Sequence, residues 1–262
     1  MLKYRVIYPL LYVTVLAALL VNKFLYPLPY PVVGAVIAAA LVIFIGLAIW
    51  GATRIGSNYF INVHTRAVIT EKTVALSFDD GPVDDHTPQI LDILQQHQVP
   101  AAFFCIGHRV KERPHLLQRI HAEGHLIGNH SYAHNFWFDI KSSRNMTEDL
   151  RKADEEIVSA TGLRPRLFRP PYGVTNPNLA KAIRKGEYIP VGWSIRSLDT
   201  VIKEEEKLLG RVTRSIRPGD IFLFHDTSAA TVNILPALIR HIREQGFTIR
   251  RIDHLLNVPA YA

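Results

Sequence analysis

The chain of 262 residues contains a single cysteine, Cys105, which excludes an internal disulfide framework and any multi-thiolate metal site. Acidic residues are missing from the first 70 positions, and all 23 Asp and Glu follow them. The chain has no internal repeat, no basic stripe and no nucleic-acid motif, so DNA and RNA are not expected partners. Disorder is excluded too, since 48% of residues are hydrophobic and only 20% charged. The uneven distribution of acids divides the chain into an apolar N-terminal part and a mixed remainder.

Between Arg5 and Lys23 lie 17 uncharged residues, and between Lys23 and Arg54 another 30. A bilayer core of roughly 30 Å needs about 20 apolar residues in helical form, so a hairpin of two spans is expected, at about 5–22 and 31–50. Pro27, Pro29 and Pro31 cannot continue a helix and suit the connection. Tyr4, Tyr26, Tyr30 and Trp50 fit interfacial belts. Lys3 and Arg5 would also suit a secretory signal, but no small-x-small cleavage site precedes Lys23. Residues 1–55 are therefore assigned to the hairpin, 56–71 to a linker and 72–262 to one soluble domain. Lys3, Arg5, Arg54, Arg66 and Lys72 flank the outer ends and only Lys23 the turn. The positive-inside rule then predicts an integral membrane protein with both ends, and the soluble domain, in the cytoplasm.

From Thr73 onward short apolar runs alternate with amphipathic stretches, the pattern of βα units around a parallel sheet. Strands are predicted at 73–79, 101–106, 125–129, 166–169, 189–195, 221–225 and 247–250, with Thr87 and Thr147 capping helices between them, Pro88 the first residue of one, and Thr231 starting another. An α/β fold follows, a closed or nearly closed β/α barrel smaller than an eight-fold one.

The polar motifs fall repeatedly where a predicted strand ends: SFDDGP (77–82), NHSYAH (129–134), FRPPYG (168–173), SLDT (197–200) and LFHD (223–226). In a β/α barrel those ends share the face that carries the active site. His130 and His134, with a carboxylate from Asp79 or Asp80, make a His2Asp set with open positions for water and substrate. The remaining aspartate would be a base beside a water that the metal acidifies. His121 and His125 repeat the same spacing, but His125 begins the third strand, roughly 16 Å from His130 at about 3.3 Å per residue, so that pair belongs at the structural end. Arg169 can hold a carboxylate through bidentate hydrogen bonds, Asp199 can hold a neighbouring cation, and His225 can protonate a leaving amine.

With these motifs the sequence resembles the NodB-like polysaccharide deacetylases, the fourth carbohydrate esterase family, over about residues 72–255. The resemblance implies a distorted (β/α)7 barrel. It implies Asp79 as general base, with Asp80, His130 and His134 as ligands of one divalent ion, usually Zn2+ though Co2+ or others can serve. It further implies that Arg169 tethers the base, the Tyr172 N–H stabilises the oxyanion, Asp199 supports and His225 is the general acid. Trp193, Leu223 and Pro171 would bind the acetyl group. Ser77 stands for a commoner Thr, and Thr200 where many members have Trp, which thins an aromatic wall. The expected activity is hydrolysis of the N-acetyl or N-formyl group of an amino sugar, in a polysaccharide or a lipid-linked glycan at the bilayer. An O-acetyl esterase is the alternative, and a non-catalytic membrane-tethered carbohydrate-binding protein a more distant one.

Overall fold

A computed structural model describes residues 3–262. The chain opens with α1 (Tyr4–Phe24) and α2 (Tyr30–Thr53), both long and apolar enough to cross a membrane. Pro31 lies in the first turn of α2, where a missing N–H costs no hydrogen bond. There follow β1 (Thr73–Asp79), α3 (Thr87–Gln96), β2 (Ala102–Cys105), α4 (Gly107–Glu112), α5 (Pro114–Ala122), β3 (Leu126–Asn129) and α6 (Ser143–Thr161). The second half is β4 (Leu167–Phe168), α7 (Pro177–Lys185), β5 (Ile189–Pro190), β6 (Ile195–Arg196), α8 (Glu205–Thr213), β7 (Ile221–His225), α9 (Ala229–Glu244), β8 (Thr248–Ile249) and α10 (Ile252–Leu256).

Every strand pair is parallel, in the order β5-β4-β3-β2-β1-β7-β6, with β8 beside the start of β1. The two-residue period of β1 sorts its side chains. Val74, Leu76 and Phe78 join the core beneath the helices, whereas Ala75, Ser77 and Asp79 point into the barrel. On β7, Phe222 and Phe224 take the helix side and Leu223 and His225 the barrel side. Asp79 pairs in register with His225, so both functional side chains leave the sheet side by side.

The predicted strand at 189–195 is broken into β5 and β6, and the sheet curls without closing between them. The chain that follows α2 fills this seam. His64 bridges to Val191 and Arg66 to Asp220. Ile55, Tyr59, Ile61, Val63 and Ala67 are buried there, each larger apolar side chain contributing about 1.5–3 kcal/mol relative to exposure. Gly192 lies in the break, where a Cβ would come within 3.0 Å of Ile55 and Thr65. The segment 56–71 thus connects in sequence while packing as part of the barrel wall.

The same segment docks the hairpin. Tyr59 packs on Gly51, where any Cβ would overlap its ring. The Tyr4 N–H donates to the Tyr59 carbonyl at 3.3 Å, and Thr175 donates to the Ala52 and Gly51 carbonyls at 3.0 and 3.1 Å.

Helix starts differ from expectation in an instructive way. Thr87 is the first residue of α3 and donates to Asp226 at 2.7 Å, while Thr231 lies inside α9 and donates to Asp199. Buried carboxylates near the site take those hydroxyls. Ser142, not Thr147, caps α6, accepting from the Asn145 N–H.

Candidate active site

A cavity of about 220 Å³ opens at the C-terminal ends of the strands, lined among others by Asp79, Asp80, His130, His134, Trp193 and His225. Ligand atoms of Asp80, His130 and His134 all lie within 4.8 Å of one another. The Asp80 Oδ1 is 3.6 Å from the His130 Nε2 and 3.4 Å from the His134 Nε2. These separations are too long for hydrogen bonds. They match the edge of a tetrahedron with bonds of about 2.1 Å, about 3.4 Å. The His130 Nδ1 sits 2.8 Å from the Arg169 carbonyl, which assigns the N–H to Nδ1 and leaves the Nε2 lone pair facing Asp80. Burial, then the neighbouring His134, pulls the His130 pKa down to about 3, so the ring is neutral, as a ligand must be. The donor set therefore fits a divalent ion, and among the described residues no glutamate or cysteine completes a fourth position.

The backbone is bent to make this cluster. Asp80, Ser131, His134, Tyr172 and Leu198 all have positive φ, at 77°, 67°, 42°, 56° and 63°. Among the described residues, four of the nine non-glycine residues with positive φ line this cavity and a fifth, Ser131, adjoins His130, which is where strained conformations concentrate when a site over-determines them. The Ser131 hydroxyl accepts from the His134 N–H at 3.0 Å and folds the turn back, setting the two imidazole rings 4.7 Å apart. Arg109 donates to the Asp80 carbonyl at 2.6 Å and secures the other side of the cluster.

Asp79 is 3% exposed and is not in the cluster of ligand atoms. Its Oδ1 accepts a 2.6 Å hydrogen bond from the Arg169 Nη1, and its Oδ2 is 3.8 Å from the His130 Nε2. Arg169 is wholly buried, and each of its three nitrogens has a partner: it also donates to Ser77 at 2.9 Å, Gly192 at 2.9 Å and Val191 at 3.3 Å, and lies 4.0 Å above the Phe104 ring. The contact with Asp79 is thus a single hydrogen bond, because the other arms of the fork are taken by Ser77 and two carbonyls. Burial pushes the Asp79 carboxyl above the ordinary value, and Arg169, then His225, pull against it.

Opposite stands a second pair. Asp199, fully buried, accepts from the His225 Nδ1 and backbone N–H at 2.7 Å each, from Ser197 at 2.9 Å and from Thr231. The cation that Asp199 holds is therefore His225. Burial pulls His225 down, but the hydrogen bond and charge of Asp199 outweigh it and raise the pKa to about 9. A cationic imidazole with a free Nε2 faces the cavity.

Trp193 and Leu223 line the walls, and a Cβ added at Gly173 would come within 2.5 Å of the Trp193 ring. Pro171 is buried and Pro170 takes the lining position, since the peptide turns over at Tyr172. Arg196 also lines the cavity and lies in no motif, and Leu198 lines it from within SLDT, with no role expected of it there. Arg196 closes β6, so a strand-end rule applied at 195–196 would have found it. The positive φ of Leu198 has no sequence signal. The second His-x-x-x-His pair lies elsewhere: His125 is buried before β3, and His121 is exposed at the end of α5.

Comparison with known proteins bears on the family and the fold. Residues 67–191 match the family described as polysaccharide deacetylase. The chain is 35% identical over 190 residues to the peptidoglycan-N-acetylmuramic acid deacetylase PdaA of Bacillus subtilis, covering 71% of this chain and 72% of that protein. It is 34% identical over 194 residues to a peptidoglycan-N-acetylglucosamine deacetylase of Bacillus cereus, covering 71% and 89%. Among solved structures, a peptidoglycan N-acetylglucosamine deacetylase superposes with a TM-score of 0.72 at 28% identity, over 76% of this chain and 95% of that one. A pseudoenzyme of carbohydrate esterase family 4 from Bacillus anthracis superposes with a TM-score of 0.69 at 32% identity, over 73% and 68%.

Proposed function

The chain belongs to the polysaccharide deacetylase family, carbohydrate esterase family 4, and on that footing we propose that it is a metal-dependent, membrane-anchored N-deacetylase of a peptidoglycan-type amino sugar. The observation that carries the reading is the grouping of one His2Asp cluster, one tethered free carboxylate and one cationic histidine around a single cavity. Fold likeness alone would not suffice, because a pseudoenzyme shares the fold.

Asp80, His130 and His134 would hold the ion, and two imidazoles with one carboxylate suit Zn2+ or Co2+. When bound, such an ion supplies Lewis acidity that activates a water and polarises the amide carbonyl. Asp79, aligned by Arg169 and made more basic by burial, accepts the proton of the attacking water. The Tyr172 N–H meets the carbonyl oxygen as negative charge develops there. His225, held by Asp199, delivers the proton that the departing amine requires. Trp193 and Leu223 enclose the acetyl methyl group. An amine is a poor leaving group without that proton, so a histidine kept cationic favours amide over O-acetyl ester substrates.

The decisive variant is Asp79→Asn. It should abolish acetate release from chitotetraose while retaining one Zn2+ per chain by elemental analysis; retained turnover would refute the base assignment.

α1 and α2 anchor the barrel in the bilayer, and the flanking charges favour its cytoplasmic side, where a nucleotide- or lipid-linked amino sugar is the accessible substrate. The names of the relatives favour a second reading, an exoplasmic barrel acting on wall glycan. A cysteine placed near Ala262 in a chain lacking Cys105 separates them: labelling by an impermeant maleimide only after lysis supports the first, and labelling of intact cells the second.

A further inference from the structure

Beside the catalytic cavity lies a larger one, of about 630 Å³, between β6, α8 and the seam segment. Its charged lining is of one sign: Arg66, Arg196, Lys207, Arg211, Arg214 and Arg217, with no Asp or Glu among the lining residues. In a chain with 30 basic and 23 acidic residues, a merely solvating face would mix the signs. Arg66 pairs with the buried Asp220 at 2.6 Å and Lys207 with Glu204 at 3.5 Å. Among the described residues, the guanidinium groups of Arg196, Arg211, Arg214 and Arg217 have no carboxylate within 4.0 Å, although the Arg217 backbone N–H donates to Asp220 at 2.7 Å. The Arg211 Nε donates to the Arg196 carbonyl at 3.0 Å, which ties α8 to β6 and holds the cationic residues together.

Arg196 lines both cavities and lies 5.8 Å above the Trp193 ring, a wall of the catalytic one. The two spaces are thus adjacent through one side chain. Four uncompensated guanidinium groups repel one another and gain from a ligand with several negative charges. Their planar forks match phosphate oxygens, and a single carboxylate would neutralise only one of them.

We propose that this groove binds a phosphate or diphosphate carried by the amino-sugar substrate itself, next to the acetamide that is hydrolysed. The inference rests on the deacetylase reading of the neighbouring cavity and narrows its substrate class. In a 2-acetamido sugar the anomeric carbon adjoins the carbon bearing the amide. With the acetamide in the catalytic cavity, an anomeric diphosphate leaves the ring at the adjacent position, toward Arg196 and the groove.

The test uses full-length, zinc-loaded Asp79→Asn protein in detergent, with binding measured by calorimetry. UDP-N-acetylglucosamine should bind at least tenfold tighter than neutral N-acetylglucosamine. Adding Arg214→Gln with Arg217→Gln, both exposed, should remove that advantage, and Arg144→Gln with Lys152→Gln on α6 should keep it. Equal affinity for both ligands, or an advantage that survives loss of the two groove arginines, overturns the proposal. Inorganic phosphate binding as tightly as UDP-N-acetylglucosamine assigns the groove to a free anion and also overturns it. So does loss of UDP-N-acetylglucosamine binding in phosphatidylglycerol nanodiscs but not phosphatidylcholine ones, which assigns it to a lipid headgroup. Acetate release by the wild-type chain, from chitotetraose or from UDP-N-acetylglucosamine, tests the deacetylase reading separately: its absence with both substrates refutes that reading while the diphosphate affinity still decides the groove.

Discussion

The chain carries the same histidine spacing twice, and the two pairs end in opposite surroundings. His130 and His134 follow the C-terminal end of β3, where positive φ at Ser131 and His134 turns the chain back and brings both rings to Asp80. His121 and His125 precede the same strand: one is exposed on α5 and the other buried against Phe103, with centroids 5.5 Å apart. Spacing alone therefore says nothing about ligation. What decides is which end of a parallel strand the pair occupies, because Asp79, Asp80 and the turns that bend the chain toward them lie at the C-terminal face.

The sharpest way to break this contrast is to delete one ring from each pair. His130→Ala removes a ligand atom and frees the Arg169 carbonyl. It should lower Zn2+ content and cut acetate release by about three orders of magnitude or more, since Lewis-acid stabilisation is worth several kcal/mol. His125→Ala should leave the metal stoichiometry at one. Loss of zinc in the second variant, or its retention in the first, would reverse the assignment of the two ends.

A smaller effect belongs to the acid side of the site. His225→Ala should lower kcat by about 10²–10⁴-fold without removing zinc. In the wild type the histidine must be protonated, so kcat falls as pH rises through the His225 pKa, about 9 without the ion and lower once a divalent cation adds its positive charge nearby. His225→Ala should lose that alkaline limb, and a limb that persists would place the acid elsewhere.

These residues were legible in the sequence because each interrupts an apolar strand, and a buried charge in such a place must have partners. Asp79, Asp80, Arg169 and His225 declared themselves in that way. The seam was not legible: Ile61, Val63 and Ala67 read as connection, and only the unpaired edges of β5 and β6 give them a place to pack. Nor was the single hydrogen bond between Arg169 and Asp79, which depends on carbonyls of Val191 and Gly192 delivered by the break between β5 and β6. Side-chain chemistry follows residue type, whereas backbone acceptors follow tertiary geometry, and no residue code announces them. The arginines of the groove failed to register for a related reason, being spread from Arg66 to Arg217 and gathered only by the fold.

The smallest effects lie at the structural end, and they concern stability. His125 is 3% exposed; its Nδ1 accepts from the Ala101 N–H at 3.2 Å, and its Nε2 is buried without a hydrogen-bond partner. Burial, opposed by Glu123, pulls its pKa from 6.5 down to about 4. The unfolded chain therefore binds a proton between those values that the folded chain does not, and stability is lost as pH falls from about 6.5 toward 4. His125→Gln keeps an acceptor for Ala101 without a titrating ring, so its melting temperature should vary less over that range than the wild type's. His125→Ala leaves the Ala101 N–H unpaired beside a cavity and should cost about 2–4 kcal/mol at neutral pH in denaturant unfolding. His121→Ala, at the exposed position, should stay within about 0.5 kcal/mol of the wild type. A pH dependence that survives in His125→Gln would mean that another buried group, not this histidine, sets the acid stability of the barrel.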